Sequence, residues 1–554
     1  VNSNQNCDGT LPNNIEIQLQ DQGENVVEQA GIDITAILSN GPGELTGTKI
    51  RSTNSSGIAT FDNLGFSVGG DHTITFNFAG LDDAVTSNIE IAPGCADIEW
   101  DGSVSTAWSD PNNWTTGVVP NGNNKVIIPN GLSNYPELDV DAGAVDLDMG
   151  SDASIDLNGF QIALNGNFNA VDAGAKIDAS EPGSELFVSS SAAADIPANL
   201  LSDDVANLIV DNSTGATINS TMNITEKLDV RQGTLVTNGN ITMACSFSPR
   251  RTAQIDAIGG NVSGVISAEQ CFPARRAFRL VSSSTTTSSS IHDNWQEGAN
   301  AYNDSSVPNN YGTHITGVEP NDPNSNPPVS LDQTNGLDWQ PSGNASMFSF
   351  DNSTQSWDME LNTETPVLNA GDAYRLMIRG ARKDVTDGLF NIESNSADPT
   401  NTRLRSTGSV EEGNFSIPNA NLSQTSTSNN NWNLIGNPYH ALVNVKELID
   451  NSFSVARFYT IWDPTLGGNP TPGQSGGRGA FVTYNVDELL FAIDGSASGT
   501  SEINNFLQPY QAAFFRTLTT GTASIEFNQD MINVNAGQTN TFSNNGILPF
   551  PHIY

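Results

Sequence analysis

Aspartate is the residue type whose spacing most directly suggests chemistry in this sequence. Five aspartates crowd one short stretch, in text that alternates with apolar residues. Hard cations such as Ca²⁺ prefer several carboxylate and carbonyl oxygens, so this stretch predicts a calcium site, although its spacing is not that of an EF-hand. The alternative is that alternate aspartates are outward strand positions, kept charged for solubility and against edge aggregation. The five residues are Asp139, Asp141, Asp146, Asp148 and Asp152.

Catalytic chemistry finds little support in the other residues. Nucleophilic catalysis needs a base within reach of a serine or cysteine, and none of the five histidines lies in a catalytic motif. The sequence contains no HExxH, no CxxC and no GxxxxGK[ST] motif. Glycosidases need only two carboxylates at a suitable separation, but 62 Asp and Glu residues do not single out a pair. We therefore expect no enzymatic activity, and no cofactor other than calcium.

Tryptophans of the second half are candidates for a platform on which sugar rings stack. The alternative is that these large side chains belong to the core. The Ser- and Thr-rich stretch from Ser282 to Ser290 predicts a flexible edge, and the stretch from Pro320 to Pro328 predicts an exposed loop, both suited to glycan decoration. The tryptophans are Trp295, Trp339, Trp357, Trp432 and Trp462.

The four cysteines fall into two sequential pairs. Cys7 and Cys95 bracket one predicted domain, and Cys245 and Cys271 bracket a short excursion. We predict two disulfides, with four buried free thiols as the alternative. Disulfides imply an oxidising location outside the cytoplasm.

Charge and hydropathy exclude several classes of partner. The chain has 21 Lys and Arg against 62 Asp and Glu, a net charge of -41, which opposes binding to nucleic-acid phosphates or anionic lipid. No run of 18 apolar residues occurs, so we expect a soluble protein without membrane insertion. The sequence begins at Val1 without a signal-peptide pattern behind it, which indicates a processed product or a piece of a longer chain.

The text predicts an all-β protein of about three or four domains. Short β-branched or aromatic runs alternate with clusters of Asn, Gly, Asp and Ser, and only Asn444 to Ser452 predicts a helix. Residues 1–96 show short alternating runs at the spacing of an Ig-like β-sandwich. In residues 57–64, followed by 72–76, this text resembles the bacterial Ig-like repeats of surface adhesins.

Residues 97–275 consist of short, self-similar units such as 155–159 and 162–166. Each unit is too short to bury its own apolar face, and stacking solves this because each strand pairs with the units above and below. We predict a parallel β-solenoid, with an antiparallel sandwich as the alternative. The opening of this region, with Trp100, Trp108 and Trp114, resembles the cap that precedes such solenoids in large secreted proteins of Bacteroidota-type bacteria, and its tryptophans are expected to cover the first coil.

Residues 276–530 predict a C-terminal β-sandwich module, with a division into two subdomains near residue 425 as a further possibility. The motifs at 374–380, 432–439 and 459–464, together with 292–297, 312–317 and 508–515, resemble the module just upstream of the sorting domain in substrates of the type IX secretion system. The resemblance implies export to the cell surface and says little about chemistry. The family's compact sorting domain has no counterpart after Phe527, which indicates cleavage after export or a partial chain.

Residues 531–554 predict an extended tail with an apolar end. A solvated terminus gains nothing from so many apolar side chains, so we expect the tail to dock as an added strand or plug on its own body or on a neighbouring copy. Packing on its own module is the alternative. The candidate assembly residues are Ile547, Leu548, Phe550, Ile553 and Tyr554.

Taken together, the residues predict a secreted, extracellular cell-surface protein that is structural or adhesive. Its sharpest form is a repeating subunit of an extracellular filament or sheath, with copies of the chain, other surface proteins or glycans as partners. The alternative is a carbohydrate-binding module or polysaccharide-active enzyme exported by the type IX system.

Overall fold

The computed structural model describes residues 11–539 apart from a set of gaps. Strands make up 47% of the chain and helices 5%, which confirms the all-β class. No helix in the described ranges is long and apolar enough to cross a bilayer. The gaps are 12–13, 22, 24, 42, 67–69, 79–83, 92–94, 191, 249, 275, 301–303, 318–334, 341–342, 384, 387–388, 391, 393–399, 424–430, 468–478, 495–498 and 519–521.

Two compact units divide the chain. The first runs to Asn223 and adds Asp229–Asn240 and Gly259–Asn261, and the second takes the rest. The domain borders predicted from the sequence, at 96, 275 and 530, stay predictions. The candidate tail residues and the loop from Pro320 to Pro328 lie outside the described ranges.

An Ig-like antiparallel sandwich opens the first unit. Its strands are β1 (Ile15–Gln18), β2 (Asp33–Asn40), β3 (Leu45–Thr46), β4 (Ile50–Ser52), β5 (Ile58–Phe61), β6 (Gly65–Phe66), β7 (Gly70–Asn77), β8 (Ala84–Val85) and β9 (Ile89–Ile91). One sheet has the order β4-β2-β7-β8, with β9 also on β7, while β1 pairs with β5 and β3 with β6. Alternate residues such as Ile34, Ala36 and Ile74 form one buried core, because successive side chains of a strand point to opposite faces.

A parallel β-solenoid of about six coils follows, as the repeated units predicted. Val126 lies beside Leu147, 21 residues later, and Ile162 lies beside Leu186, 24 residues later. These four side chains are buried and stack in apolar columns. The strands are β10 (Cys95–Glu99), β11 (Asn124–Ile128), β12 (Ala142–Ala144), β13 (Asp146–Met149), β14 (Ser154–Asp156), β15 (Gln161–Leu164), β16 (Phe168–Val171), β17 (Lys176–Ala179), β18 (Glu185–Val188), β19 (Ala194–Ile196), β20 (Leu201–Asp211), β21 (Ala216–Ile218), β22 (Met222–Gln232) and β23 (Thr234–Val236).

Three tryptophans pack together at the start of the solenoid. Trp114 makes edge-to-face contacts with Trp100 and Trp108, with ring centroids 4.9 and 4.8 Å apart. The Trp100 backbone N–H donates to the carbonyl of Ile127 in β11. The tryptophans are fully buried, so they cover the apolar end of the first coil.

The second unit contains two hydrophobic cores. The first core is lined by strands of two sheets. Strand β29 pairs in parallel with β24 and antiparallel with β37, so parallel and antiparallel pairing meet on one strand. A four-stranded antiparallel sheet has the order β30-β34-β32-β33. The strands are β24 (Ile241–Met243), β25 (Cys245–Phe247), β26 (Arg250–Thr252), β27 (Gln254–Ile255), β28 (Asn261–Ser263), β29 (Ile266–Phe272), β30 (Ala277–Ser282), β31 (Thr285–Thr287), β32 (Met347–Asp351), β33 (Ser356–Met359), β34 (Ala373–Ile378), β35 (Val385–Thr386), β36 (Leu389–Phe390) and β37 (Thr402–Val410).

A second core of this unit involves residues 422–531. Its main sheet has the order β39-β45-β41-β42-β43 and is antiparallel throughout. Tyr459, Ile461 and Phe515 point to one side of that sheet and are buried in the core. The strands are β38 (Phe415–Ile417), β39 (Trp432–Gly436), β40 (Val443–Asn444), β41 (Val455–Asp463), β42 (Ala480–Asn485), β43 (Leu490–Ile493), β44 (Phe506–Leu507), β45 (Ala512–Thr517) and β46 (Ile525–Phe527).

The described residues contain two short α-helices. The predicted helix is present as α2 (Val445–Asn451), and Asn444 caps it by accepting a hydrogen bond from the Lys446 N–H. Helix α1 (Ile291–Trp295) was not predicted, although Ser290 and Asp293 form a reciprocal capping box at its start. Short 3₁₀ helices span Pro111–Asn113, Asn419–Asn421 and Gln529–Met531.

The prediction of a flexible edge from Ser282 to Ser290 is wrong. Ser282, Ser283, Ser284 and Thr285 are fully buried, and their hydroxyls find partners inside the module. Thr285 Oγ1, for example, lies 2.7 Å from Ser406 Oγ. Small hydroxyl side chains are tolerated in a core when they are hydrogen-bonded.

One of the two predicted disulfides is present. Cys245 and Cys271 are bonded, with Cα atoms 5.6 Å apart, and the bridge ties β25 to β29. The pairing of Cys7 with Cys95 lies outside the described side chains.

Replacing both bonded cysteines (Cys245→Ala with Cys271→Ala) should lower the free energy of unfolding of the second unit. The bridge spans 26 residues, and on the loop-entropy account its loss costs roughly 3 kcal/mol. Urea unfolding followed by tryptophan fluorescence measures the change, and Ser248→Ala, in the same excursion but outside the bridge, is the matched control. An unchanged midpoint in the double variant would show that the bridge contributes nothing.

Candidate functional site

The five candidate calcium ligands do not form one site. Among the described residues, no three His, Cys, Asp or Glu side chains come together in a group able to hold a metal ion. Asp139 instead accepts hydrogen bonds from the backbone N–H and hydroxyl of Ser109, at 3.0 and 2.6 Å. Asp152 lies in a turn with a left-handed φ of 62°.

The other three aspartates connect successive coils of the solenoid. Each accepts a backbone N–H from the following coil, so the carboxylates satisfy peptide groups that would otherwise lack a partner. Asp148 also pairs with Lys125, at 2.7 Å. The three bonds are Asp141 from Gln161 at 3.0 Å, Asp146 from Asn167 at 2.9 Å and Asp148 from Ala170 at 3.2 Å.

A serine and a histidine in hydrogen-bond contact resemble a nucleophile and its base. Ser284 Oγ lies 2.8 Å from His440 Nδ1, but both residues are buried, with Ser284 fully enclosed. Burial lowers the pKa of His440 to about 3, so the imidazole is neutral. A substrate has no route to an enclosed hydroxyl, and the pair is a packing feature of the core.

The buried carboxyl groups of Glu269 and Glu297 pair with two arginines of β37. Glu297 pairs with Arg405 at 2.5 Å, and Glu269 accepts a hydrogen bond from the Tyr311 hydroxyl at 2.8 Å. Arg403 is 3.5 Å from Glu269. Burial raises the pKa of Glu297 to about 7 although Arg405 opposes this, and burial also raises the pKa of Glu269. Such raised values are typical of general acids as well as of structural ion pairs.

A half-buried aromatic surface of the second unit lies on the sheet β30-β34-β32-β33. One side of this sheet packs Val281, Leu376 and Met347 into a core around Trp295. On the other side, cross-strand pairing places Arg375 between Leu280 and Phe348. The residues of this side that keep part of their surface exposed, here called the aromatic face, are Phe278, Phe348, Phe350, Trp357, Met359, Arg375 and Met377.

Arg375 occupies the middle of the aromatic face. Its guanidinium carbon lies 4.0 Å from the ring centroid of Phe278, 5.5 Å from that of Trp357 and 5.7 Å from that of Phe348. A cation that lies above the plane of an aromatic ring is attracted by the negative electrostatic potential of that ring. Burial lowers the pKa of Arg375, but an arginine side chain stays charged in a protein.

The aromatic face continues onto the sheet that contains β45. Phe514 makes ring contacts with Phe350 at 5.1 Å, Trp357 at 5.9 Å and Trp432 at 6.3 Å. Phe481 and Trp462 extend the same half-buried cluster. The structure therefore brings together three of the five candidate tryptophans.

The remaining two tryptophans have other positions. Trp295 is fully buried and packs edge-to-face on Tyr374, with ring centroids 5.8 Å apart. Trp339 is half-buried and is not part of the cluster around Phe514. Arg375 was not predicted as a site residue, because the motif 374–380 indicates only lineage. The alternation of Phe348 and Phe350, followed by Trp357, is the signal that could have indicated an apolar outer face.

Aspartate substitutions at the solenoid should distinguish a structural acceptor from a metal ligand. Asp146→Ala leaves the Asn167 N–H without its partner and should lower the free energy of unfolding by about 1 to 3 kcal/mol. Asp146→Asn keeps an acceptor oxygen and should stay close to the parent protein. Thermal unfolding with and without a chelator is the measurement. A chelator that destabilises the parent protein, together with an Asn variant as weak as the Ala variant, would restore the calcium interpretation.

Glu297 should make the stability of the second unit depend on pH. Its folded-state pKa of about 7 lies above the ordinary 4.5, so its contribution is fully present below about pH 4.5 and is lost as the pH rises through 7. Glu297→Gln should remove that loss and stabilise the protein at pH 8, by up to about 3 kcal/mol, with little change at pH 4.5. Urea unfolding at both pH values tests this, with the exposed Glu488→Gln as control. Equal pH dependence in both variants would contradict it.

Comparison with known proteins leaves this geometry as the basis for any functional conclusion. No family model, no curated protein and no solved structure matches the chain at a significant level. The likeness of the C-terminal motifs to type IX secretion substrates therefore stays a prediction from the sequence.

Proposed function

We propose that this chain is a secreted structural or adhesive protein of the cell surface that contacts carbohydrate through the aromatic face. The observation that carries the proposal is the cluster of half-buried rings that packs around the buried Phe514 and continues to Arg375. Exposed apolar patches on a folded protein mark interaction sites. Aromatic rings and arginine are also the side chains most enriched at such sites.

The rest of the described chain supports a mechanical role. Stacked coils bury a continuous apolar column, and Asp141, Asp146 and Asp148 bond one coil to the next. A disulfide ties β25 to β29 in the second unit. These features hold a shape, and the Ser284–His440 pair is enclosed rather than open to a substrate.

A repeating subunit of an extracellular filament or sheath is the finer form of the proposal. Strand β43 is an edge strand of its sheet in the described ranges. Leu490 and Phe491 on this strand, and Leu489 just before it, are 64%, 42% and 62% exposed. Natural proteins usually protect such edges because they pair with other chains, so this edge supports association between copies.

A polysaccharide-active enzyme is the alternative, and one observation favours it. Glu269 and Glu297 are two carboxyl groups with raised pKa values beside Tyr311, a combination that acid catalysis uses. Their side chains are only 5% and 1% exposed. This enclosure makes the structural role the better supported one.

Retention on insoluble polysaccharides tests the proposed function. The purified chain should be retained on at least one polysaccharide of a panel of neutral and acidic polymers, with no release of reducing sugar. Trp357→Ala should reduce retention at least several-fold, because this ring contacts Phe350 and Arg375 of the aromatic face and also Phe514 on the neighbouring sheet. Trp339→Ala, outside the cluster, is the matched control.

Two outcomes would contradict this function. Failure of the folded parent protein to bind any polymer of the panel removes the carbohydrate contact. Release of reducing sugar that is lost in Glu297→Gln would instead establish the enzyme.

A further inference from the structure

Arg375 has no acidic partner within ion-pair distance in the described part of the chain, unlike Arg382 and Arg405 of the same unit. Arg382 forms a fully buried pair with Asp338, and Arg405 pairs with Glu297. In the described part of the chain, the contacts of the Arg375 guanidinium are the three aromatic rings of Phe278, Phe348 and Trp357. The side chain is half-buried, so it still reaches solvent.

An unpaired guanidinium is unexpected in this protein, since carboxylates outnumber cations by 62 to 21. A half-buried cation loses part of its hydration, and ring contacts replace only part of that loss. A carboxylate would replace more, because the planar guanidinium fork donates two parallel hydrogen bonds to it. The aromatic face therefore offers a carboxylate a cationic hydrogen-bond donor beside apolar ring surface.

We infer that the aromatic face binds a carboxylated sugar, such as a uronic acid residue of a polysaccharide. This inference rests on the proposed carbohydrate function and names its ligand class. Arg375 pairs with the carboxylate, and Trp357, whose ring lies 5.5 Å from the guanidinium carbon, packs against the apolar side of the sugar ring. A uronate offers a charge and an apolar ring surface in one small unit, which is the combination that the face presents.

Other anions fit the face less well. A phosphate group carries up to two charges and is usually held by several donors, whereas the face contains one guanidinium. A second copy of the chain carries the same net charge of -41, and long-range repulsion opposes its docking by side-chain contacts at this face, whereas the association proposed at the β43 edge rests on backbone pairing between strands. A short uronic acid oligosaccharide carries few charges and approaches more easily.

Galacturonic acid trisaccharide and its fully methyl-esterified form are the probes, because they differ only in whether the carboxylate is free. The parent protein should bind the free acid about tenfold or more tightly than the ester, as expected for a charge-assisted hydrogen bond that water partly competes with. Titration calorimetry measures both affinities. Arg375→Met should abolish the preference, and Arg51→Met in the first unit should keep it. Arg375→Lys, which retains the charge without the planar fork, should show an intermediate preference.

The outcomes separate this inference from the proposed function. Equal binding of acid and ester by the parent protein overturns the role of Arg375 but leaves a carbohydrate-binding face. A preference that survives in a folded Arg375→Met variant also overturns it. Equal competition by a poly-glutamate peptide would show that the site recognises carboxylates on protein rather than sugar. If Arg375→Met does not fold, salt dependence of the parent protein decides, since only the preference for the acid should fall as salt rises.

Discussion

Positive charge is scarce in this chain, and that shortage governs how its polar groups are arranged. Carboxylates outnumber cations by 62 to 21, and several of those in the described ranges accept hydrogen bonds from backbone N–H groups and hydroxyls instead of pairing with a cation. Asp351 accepts from Ser353 and Thr354, and these bonds lower its pKa to about 2. Asp146 serves the solenoid in the same way. Arg375, by contrast, has aromatic rings and no acid around its guanidinium in the described ranges.

Aspartates in the turns of the solenoid have a role that needs no cation, because they accept hydrogen bonds from the backbone. Each coil ends in backbone groups that face the next coil, and a carboxylate of the right length can accept one of their N–H groups. The oxygens of Asp141, Asp146 and Asp148 bond coil to coil, a role that neither the calcium interpretation nor the solubility interpretation included.

Much of the fold could be predicted from local patterns in the sequence. The alternation of the first 96 residues, the self-similar rungs around Ile155 and Ile162 and the capped helix at Val445 all follow from periods of two residues or from capping chemistry. The burial of Ser282 to Thr285 could not be predicted, because it depends on partners such as Ser406 and His440 far along the chain.

The candidate site was only half visible in the sequence. Trp357, Trp432 and Trp462 stood out as aromatic residues, but their convergence on Phe514 depends on how two sheets pack. The missing acid beside Arg375 is a property of three-dimensional surroundings that no spacing reveals. The composition shows that many carboxylates were available to pair with an arginine. Only the fold shows that Arg375 is surrounded by aromatic rings instead.

A structure of the chain bound to a uronic acid oligosaccharide tests this account most directly. The account predicts the sugar on the aromatic face, with its carboxylate against the Arg375 guanidinium and its ring beside Trp357. The account would be contradicted by sugar bound instead between Glu269 and Glu297, with the ion pairs of these residues to Arg403 and Arg405 broken. That result would identify a catalytic site.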